Sequence, residues 1–523
     1  MLRAIASVTF LLAIVLAAGP VMAESLADPG RLLSLQEVLY RGLERNFVLQ
    51  AERLNVPISR EDVTAETARF DPVVDAVVSA TGERTPTASD SFDDDYARRR
   101  LYGAAIGLSK EFRSGLDARL ALENARLSSN ALSSALDPEY RTFLLLDFTQ
   151  PLLRDFGRAV NSADLQVANQ RLQQARFGYL DQAQRLVEAL ELTYFELARA
   201  HEILRLRIES RELASELLDG NRQKFEAGIV PITEVQEAET AGAARDEQVV
   251  FARQQMEIAA NRLKNLLEIS HDDPFVAELL RTETLPGTEQ LWPPLETALN
   301  TALLARPDLE RQRLEIVSRD IRLAFFQNQK LPRLDLETSL GVNGLSGELE
   351  SPASAGAQAN RGDYWRSLDQ AASGDGYVWF AGLRFDYPLD NRAAAARYRR
   401  AGHEKRQALY RLKSLESTVE TEVRNAFTAV ERGFERVQVA ERFQQLADIT
   451  LSQEMERLRE GLTDTFRILD FQDSVIEARV RKANALVDFN QGLSSLFRAM
   501  GANLERRNIV HPLEDKENLH VRN

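Results

Sequence analysis

Few residues of this chain could carry out covalent or metal chemistry: among 523 residues there is no cysteine, and there are five histidines. Without cysteine there is no thiolate nucleophile, disulfide framework, Cys-ligated zinc or thiolate-bound iron–sulfur cluster. His201 and His403 fall within helical runs without a HExxH neighbour, and His271-Asp272-Asp273 stands at a predicted helix end. With no GxSxG, no GxxxxGK[ST] and no metal-spaced cluster, no catalytic residue, cofactor site or metal site is expected. What remains is charge beside two glycine turns. In Glu226-Ala227-Gly228-Ile229-Val230-Pro231-Ile232-Thr233-Glu234, Gly228 ends one helix and Thr233 is the predicted N-cap of the next. In the second turn Gly461 plays the same part, with Thr463 or Asp464 capping and Arg467, Asp470 and Asp473 following. Asp473 is the one acid on a seam otherwise made of Leu469, Ile476, Val480, Ala483 and Val487. Structurally these are tight helical hairpins; any function depends on what their ends project into.

The flanking helices are long. From Ala159 to Phe225 there is no proline, and glycine occurs only at Gly178 and Gly220; at 1.5 Å per residue such a helix spans roughly 100 Å. Leu165, Ala168, Leu172, Ala175 and Tyr179 step by three and four, the seam of a coiled coil. Arg392 to Glu460 also lacks proline, with Leu412, Leu415, Val419, Ala426 and Ala429 on its seam. The many alanines let such helices pack side by side into a wall.

The halves of the chain repeat each other. A shift of 260 lays Leu39 on Leu299, Leu49 on Leu309, Arg53 on Arg313 and Pro72 on Pro332. Phe148-Thr149-Gln150-Pro151-Leu152 matches Phe385-Asp386-Tyr387-Pro388-Leu389 at 237, and Gly228 matches Gly461 at 233. Three anchors in one order mark a duplicated unit, with extra residues in the first copy. Each unit reads as helix, strands, long helix, turn, helix. Leu334, Leu336, Leu340 and Val342 share one strand face and Asp335, Glu337 and Ser339 the other; Tyr102, Ala104, Ile106 and Leu108 also alternate with small residues. Phe143–Phe148 and Val378–Tyr387 supply further strands. Such two-faced strands suit a barrel with lipid outside and water inside. Gly82–Arg100 and Ser351–Gly376 read as solvated loops. Arg113–Asn130 has no counterpart in the second unit; a hairpin extending the barrel outside the membrane is one reading.

Composition narrows the class. A net charge of −14 argues against a nucleic-acid binder. At 44% hydrophobic and 28% charged the chain is too apolar for disorder and too polar for a helical membrane protein. Residues 1–23 have the layout of a secretory signal peptide: Arg3, the apolar run Ala4–Ala18, and a small-x-small end at Val21-Met22-Ala23. No later stretch reaches eighteen apolar residues, so an exported chain of this kind can cross a bilayer only by strands in a closed barrel. The organisation expected is signal peptide 1–23, first repeat 24–270, linker 271–290, second repeat 291–506 and a polar tail 507–523.

Over roughly Leu32 to Arg506 the sequence resembles the TolC family of outer-membrane channels. The resemblance rests on the duplicated plan, the strand-to-helix joint Gln150-Pro151-Leu152-Leu153-Arg154-Asp155-Phe156-Gly157-Arg158 and the turn Gly228 to Gln236. It implies a mixed α and β membrane protein: a homotrimer in which each chain gives four strands to a twelve-stranded β-barrel, continuous with a long periplasmic α-helical coiled-coil barrel. It implies an outer-membrane exit channel of a Gram-negative bacterium, serving a tripartite efflux pump or type I secretion system together with a periplasmic adaptor and an inner-membrane transporter. Gly228, Thr233, Glu234 and Gly461 would then form the tips that meet the adaptor, and Asp470 and Asp473 would line a constriction. The sequence departs from many relatives at Arg467, where they carry an acid; Arg467 would pair with Asp470 or weaken cation binding there. The rivals are a periplasmic adaptor, which shows one helical hairpin rather than two, and an exported enzyme, for which no motif speaks.

Overall fold

A computed structural model describes residues 32–88, 95–131, 135–269, 281–282, 285–288, 291–349 and 355–509. The predicted signal peptide, Asp93-Asp94, His271-Asp272-Asp273, most of the linker and nearly all of the tail lie outside the described residues.

The first half runs α1 (Leu35–Arg45), α2 (Phe47–Ala68), β1 (Val73–Pro86), β2 (Tyr96–Glu111), β3 (Asp117–Ser129), β4 (Leu136–Pro151), α3 (Ala163–Glu226) and α4 (Ile232–Leu266). The second runs α5 (Leu295–Ala305), α6 (Pro307–Asn328), β5 (Arg333–Leu349), α7 (Tyr364–Ser373), β6 (Gly376–Asp386), α8 (Arg392–Arg459) and α9 (Thr465–Ala499). Elements α1, α2 and β1 recur as α5, α6 and β5 at the shift of 260, and α4 recurs as α9 at 233. At 64 and 68 residues, α3 and α8 each run about 100 Å. Local chemistry sets the ends of the short helices. Ser34 accepts from the Glu37 amide at 3.2 Å to start α1, Asn46 accepts from the Leu49 amide at 3.1 Å to start α2, and Pro307 opens α6.

Among the described residues the main sheet has six strands, β1 to β6 adjacent in chain order and each antiparallel to the next. This corrects the four strands per chain that the resemblance implied. The unassigned segment 113–130 is the second arm of a hairpin inside the sheet, not an extension beyond it. Its backbone finds partners on both sides, with β2 from Arg99↔Ser129 to Glu111↔Asp117 and with β4 from Asp117↔Thr149 to Leu127↔Glu139. The register lays Ala76, Ile106, Leu122, Leu144, Val342 and Tyr377 in one row on one face. Tyr102, Trp379, Leu383 and Phe385 share that face and are exposed. The opposite face carries ion pairs, Arg119–Asp75 and Arg384–Glu337, both at 3.0 Å. The strands therefore have one face suited to lipid and one suited to water.

The second predicted loop also differs, because it holds α7. Asp363 caps it, Gly374 ends it at φ 74°, and it docks through hydroxyls: Ser367 Oγ lies 2.8 Å from Thr142 Oγ1, and Ser346 Oγ donates to the Asp363 carbonyl at 2.6 Å. Gly344 is required beneath it, since a Cβ there would sit 1.8 Å from the Ser367 carbonyl oxygen.

Each repeat has its own helical core. Val38, Leu190, Leu197 and Leu263 are buried in the first, and Ala302, Val423, Phe489 and Leu493 in the second. Among the described residues no helix is long and apolar enough to cross a membrane.

Candidate gate at the helical tips

Both long hairpins end in the same backbone device. After α3, the Ile229 amide donates to the Lys224 carbonyl at 2.8 Å with Gly228 at φ 70°; after α8, the Leu462 amide donates to the Arg457 carbonyl at 2.9 Å with Gly461 at φ 75°. The left-handed residue lets the turn satisfy orphan carbonyls, and glycine takes that conformation without a Cβ clash. The helices that follow start differently. Asp464 caps α9, its carboxylate accepting from the Arg467 amide at 2.9 Å. The expected Thr233 cap does not form. Pro231 occupies the N-cap of α4 at φ −70° and ψ 159° with no side-chain bond, and Thr233 is the second residue of the helix. Proline presets the extended turn two residues earlier than a threonine cap at 233 would.

The fold brings some predicted residues together and separates others. Thr233, Asp470 and Asp473 line one groove between α4 and α9 of about 540 Å³, with Phe466 and Leu469 as its apolar wall. Arg467 is exposed on α9, and no ion pair with Asp470 is found among the described residues. Glu234 contributes its carbonyl: Asn221 Nδ2, buried on α3, donates to it at 3.2 Å and to Thr465 Oγ1 at 3.0 Å. One amide thus ties the two hairpins together at their ends.

Asp473 has a partner that the sequence reading missed. Arg245 of α4, only 3% exposed, donates from Nη2 to Asp473 Oδ1 at 2.8 Å and from Nε to Ser210 Oγ of α3 at 3.1 Å. The signal was present: Val235, Ala238, Gly242, Arg245, Val249 and Ala252 step by three and four, putting a cation on an apolar seam. Further from the tip, Arg479 of α9 bridges Glu209 of α3 at 2.6 Å and Asp448 of α8 at 3.1 Å. Burial alone would lower the Arg479 pKa, but the two carboxylates outweigh it and hold the pKa above its ordinary value. Charged bridges therefore connect the hairpins beside apolar contacts such as Val487 of α9, which is buried in the first repeat's core. His201 rests against Thr282 at 3.4 Å and His403 against Arg406 at 2.9 Å.

A family model described as outer membrane efflux protein matches residues 298–502, which run from α5 to the end of α9. Over that segment, the second repeat, the chain is similar to the outer membrane efflux protein family. Solved structures share the fold across both repeats. The Campylobacter jejuni CmeC outer membrane channel is 17% identical with a TM-score of 0.63, over 90% of this chain and 86% of that one. VceC from Vibrio cholerae is 14% identical with a TM-score of 0.61, over 90% and 96%. The open state of the Neisseria gonorrhoeae MtrE channel is 18% identical with a TM-score of 0.58, over 90% and 89%. No curated protein sequence matches. Near the tips the contacts between the hairpins include the Asn221 hydrogen bonds and the ion pair of the buried Arg245 with the exposed Asp473.

Proposed function

We propose that this protein is the outer-membrane exit channel of a tripartite efflux pump or type I secretion system in a Gram-negative bacterium. Three copies close their sheets into a barrel, and their helices form a periplasmic tunnel. The observation that carries the reading is the junction of two opposite designs in one chain: a sheet with one apolar face, and helices of about 100 Å linked by charged bridges. The periplasmic adaptor falls away as a rival, since the chain carries two helical hairpins on one sheet and matches the channel family. The exported enzyme gains no support from the site. The repeats correspond to 24–270 and 291–506, joined by 271–290, with a tail at 507–523.

Conduction is passive, and an inner-membrane transporter reached through an adaptor supplies the energy. Gly228, Thr233, Glu234 and Gly461 form the adaptor-facing tips. Asp470 lines the constriction, and Asp473 holds α9 to α4 through Arg245. Arg467 is exposed at the tip with no ion pair among the described residues, and is placed to meet a neighbouring copy. In planar bilayers, Asp470→Ala and Glu234→Ala should raise single-channel conductance by loosening the closed tip; conductance unchanged in both would remove these residues from the gate.

A further inference from the structure

We propose that the membrane-spanning end of this protein is an eighteen-stranded ring, closed by pairing β6 of one copy with β1 of the next in a register that the internal repeat dictates. The proposal rests on the three-copy reading above and adds the strand number, the docking edge and its alignment.

The additional hairpin is part of the wall. β2 pairs with β1 from Val73↔Ser109 to Pro86↔Tyr96, and β3 pairs with β4 over most of its length. Its turn is locked to the strand-to-helix joint: the Gly157 amide donates to the Ser114 carbonyl at 3.0 Å, and a Cβ on Gly115 would lie 2.6 Å from the Asp155 carbonyl oxygen. A hairpin held along both sides and at its turn cannot leave the sheet without opening it.

Among the described residues the sheet of one chain ends in two unpaired edges, β1 and β6. Exposed apolar side chains along them, Val78 on β1 and Trp379 and Phe385 on β6, place these edges in lipid, where unpaired backbone costs several kcal/mol per group. Directions alternate along the sheet, so β6 beside β1 of the next copy continues the antiparallel pattern. A head-to-tail contact of this kind closes by rotation. A second copy of this chain is therefore the occupant.

The register follows from the duplication. Inside the chain, β4 ends the first repeat's strands and meets β5, which begins the second; β6 meeting the next copy's β1 is the same junction between copies. β1 maps onto β5 at 260, and β4 onto β6 at 237, through Phe148/Phe385 and Pro151/Pro388. The pairs Asp147↔Ser339 and Leu145↔Gly341 then translate as 147 + 237 = 384 beside 339 − 260 = 79, and 382 beside 81. Arg384 thus lies beside Ser79, and Gly382 beside Thr81. A mismatch would have set apolar side chains against charged ones; instead Ser79 and Arg384 share the ion-paired face, while Val78 and Phe385 share the apolar face. With strands about 4.8 Å apart and tilted about 40°, eighteen strands give a ring about 36 Å across, against about 24 Å for twelve. The barrel is then wide, and the helical tips set the limit on what passes.

The chain has no native cysteine, so introduced ones report alone. In oxidised membranes, Ser79→Cys combined with Arg384→Cys should give covalent trimers on non-reducing gels. Ser79→Cys with Phe380→Cys, four residues along β6, should not. No product from the first pair, or equal product from both, overturns the register. Strand number is read separately from the lipid-facing variant Thr338→Cys carrying a spin label. Equivalent backbone positions should lie about 31 Å apart in a three-copy ring of eighteen strands, and about 21 Å in one of twelve. Native mass spectrometry gives the copy number. Three copies at the shorter distance overturn the eighteen-stranded ring and leave the channel standing; any other copy number overturns both.

Discussion

At the junction of its two short helices the first repeat places Asn46, and the second, 260 residues later, places Arg306. Both cap positions reach for the same target. Asn46 Nδ2 donates to the Leu266 carbonyl at 3.2 Å, and Arg306 Nη1 donates to the Ala499 carbonyl at 3.3 Å, carbonyls that are themselves 233 apart. The neutral residue does this with one amide, which also caps α2. The charged one needs a cage: Asp308 at 2.6 Å and Glu422 at 2.5 Å. The comparison teaches that the duplicated unit conserves a place where backbone must be satisfied while leaving the chemistry free to diverge. It also predicts that the two halves fail differently.

The largest difference should come from truncating the two equivalent residues. Arg306→Ala leaves Asp308, 16% exposed at its side chain, without its cation, and should cost about 3 kcal/mol. Asn46→Ala removes a cap and one long bond and should cost about 1–2 kcal/mol. Thermal unfolding of the detergent-solubilised protein, followed by circular dichroism, would rank them; equal losses would mean that the cage does not stabilise the second repeat.

Acid should separate the halves as well. Burial would raise the Asp308 pKa, but the Arg306 guanidinium outweighs it and holds the pKa below its ordinary value. For a depressed carboxylate, the stabilisation is complete above the unfolded value of about 3.9 and is lost as pH falls through the lower folded value. The wild-type advantage over Asp308→Asn should therefore shrink below about pH 4, while Asn46→Ala shows no such trend. A difference constant from pH 7 to pH 3 would contradict the assignment.

The turns test what the repeats share. Gly228→Ala and Gly461→Ala each force a Cβ into left-handed backbone, a strain of about 1–2 kcal/mol. The expected loss is equal at both tips, seen as faster local hydrogen exchange. If only one tip responds, the turns are not equivalent.

How much of this was legible follows from what each feature needed. The long helices were readable because proline is absent and the seams are regular, and the predicted bounds of Arg392–Glu460 differ from α8 by one residue. The repeat was readable because glycines and prolines mark turns. The strand β3 was not, since Ala118, Asn124 and Ala125 blur its alternation and only pairing on both sides defines it. Arg245 was missed because a single cation on a seam is indistinguishable in sequence from one that snorkels to water. α7 was missed because it lies in a stretch rich in Ala, Ser, Gly and Gln that reads as a loop, although Tyr364, Leu368 and Ala371 keep helical spacing.

The smallest effect distinguishes the tips by their caps. Asp464 accepts from the Arg467 amide, so Asp464→Ala should cost about 1 kcal/mol at the second tip. Thr233 makes no cap bond, because Pro231 already holds the entry to α4, so Thr233→Ala should change stability by less than about 0.5 kcal/mol. Limited proteolysis at the tips would read both, with the second hairpin cleaved faster in Asp464→Ala and neither altered in Thr233→Ala. The reverse order would return the cap to threonine. The contrast matters for gating, because a tip whose helix is fixed by proline can lose a side chain and keep its shape. A tip fixed by a carboxylate depends on that group staying unclaimed by a neighbour, and Arg467, whose amide it accepts from, is exposed beside it.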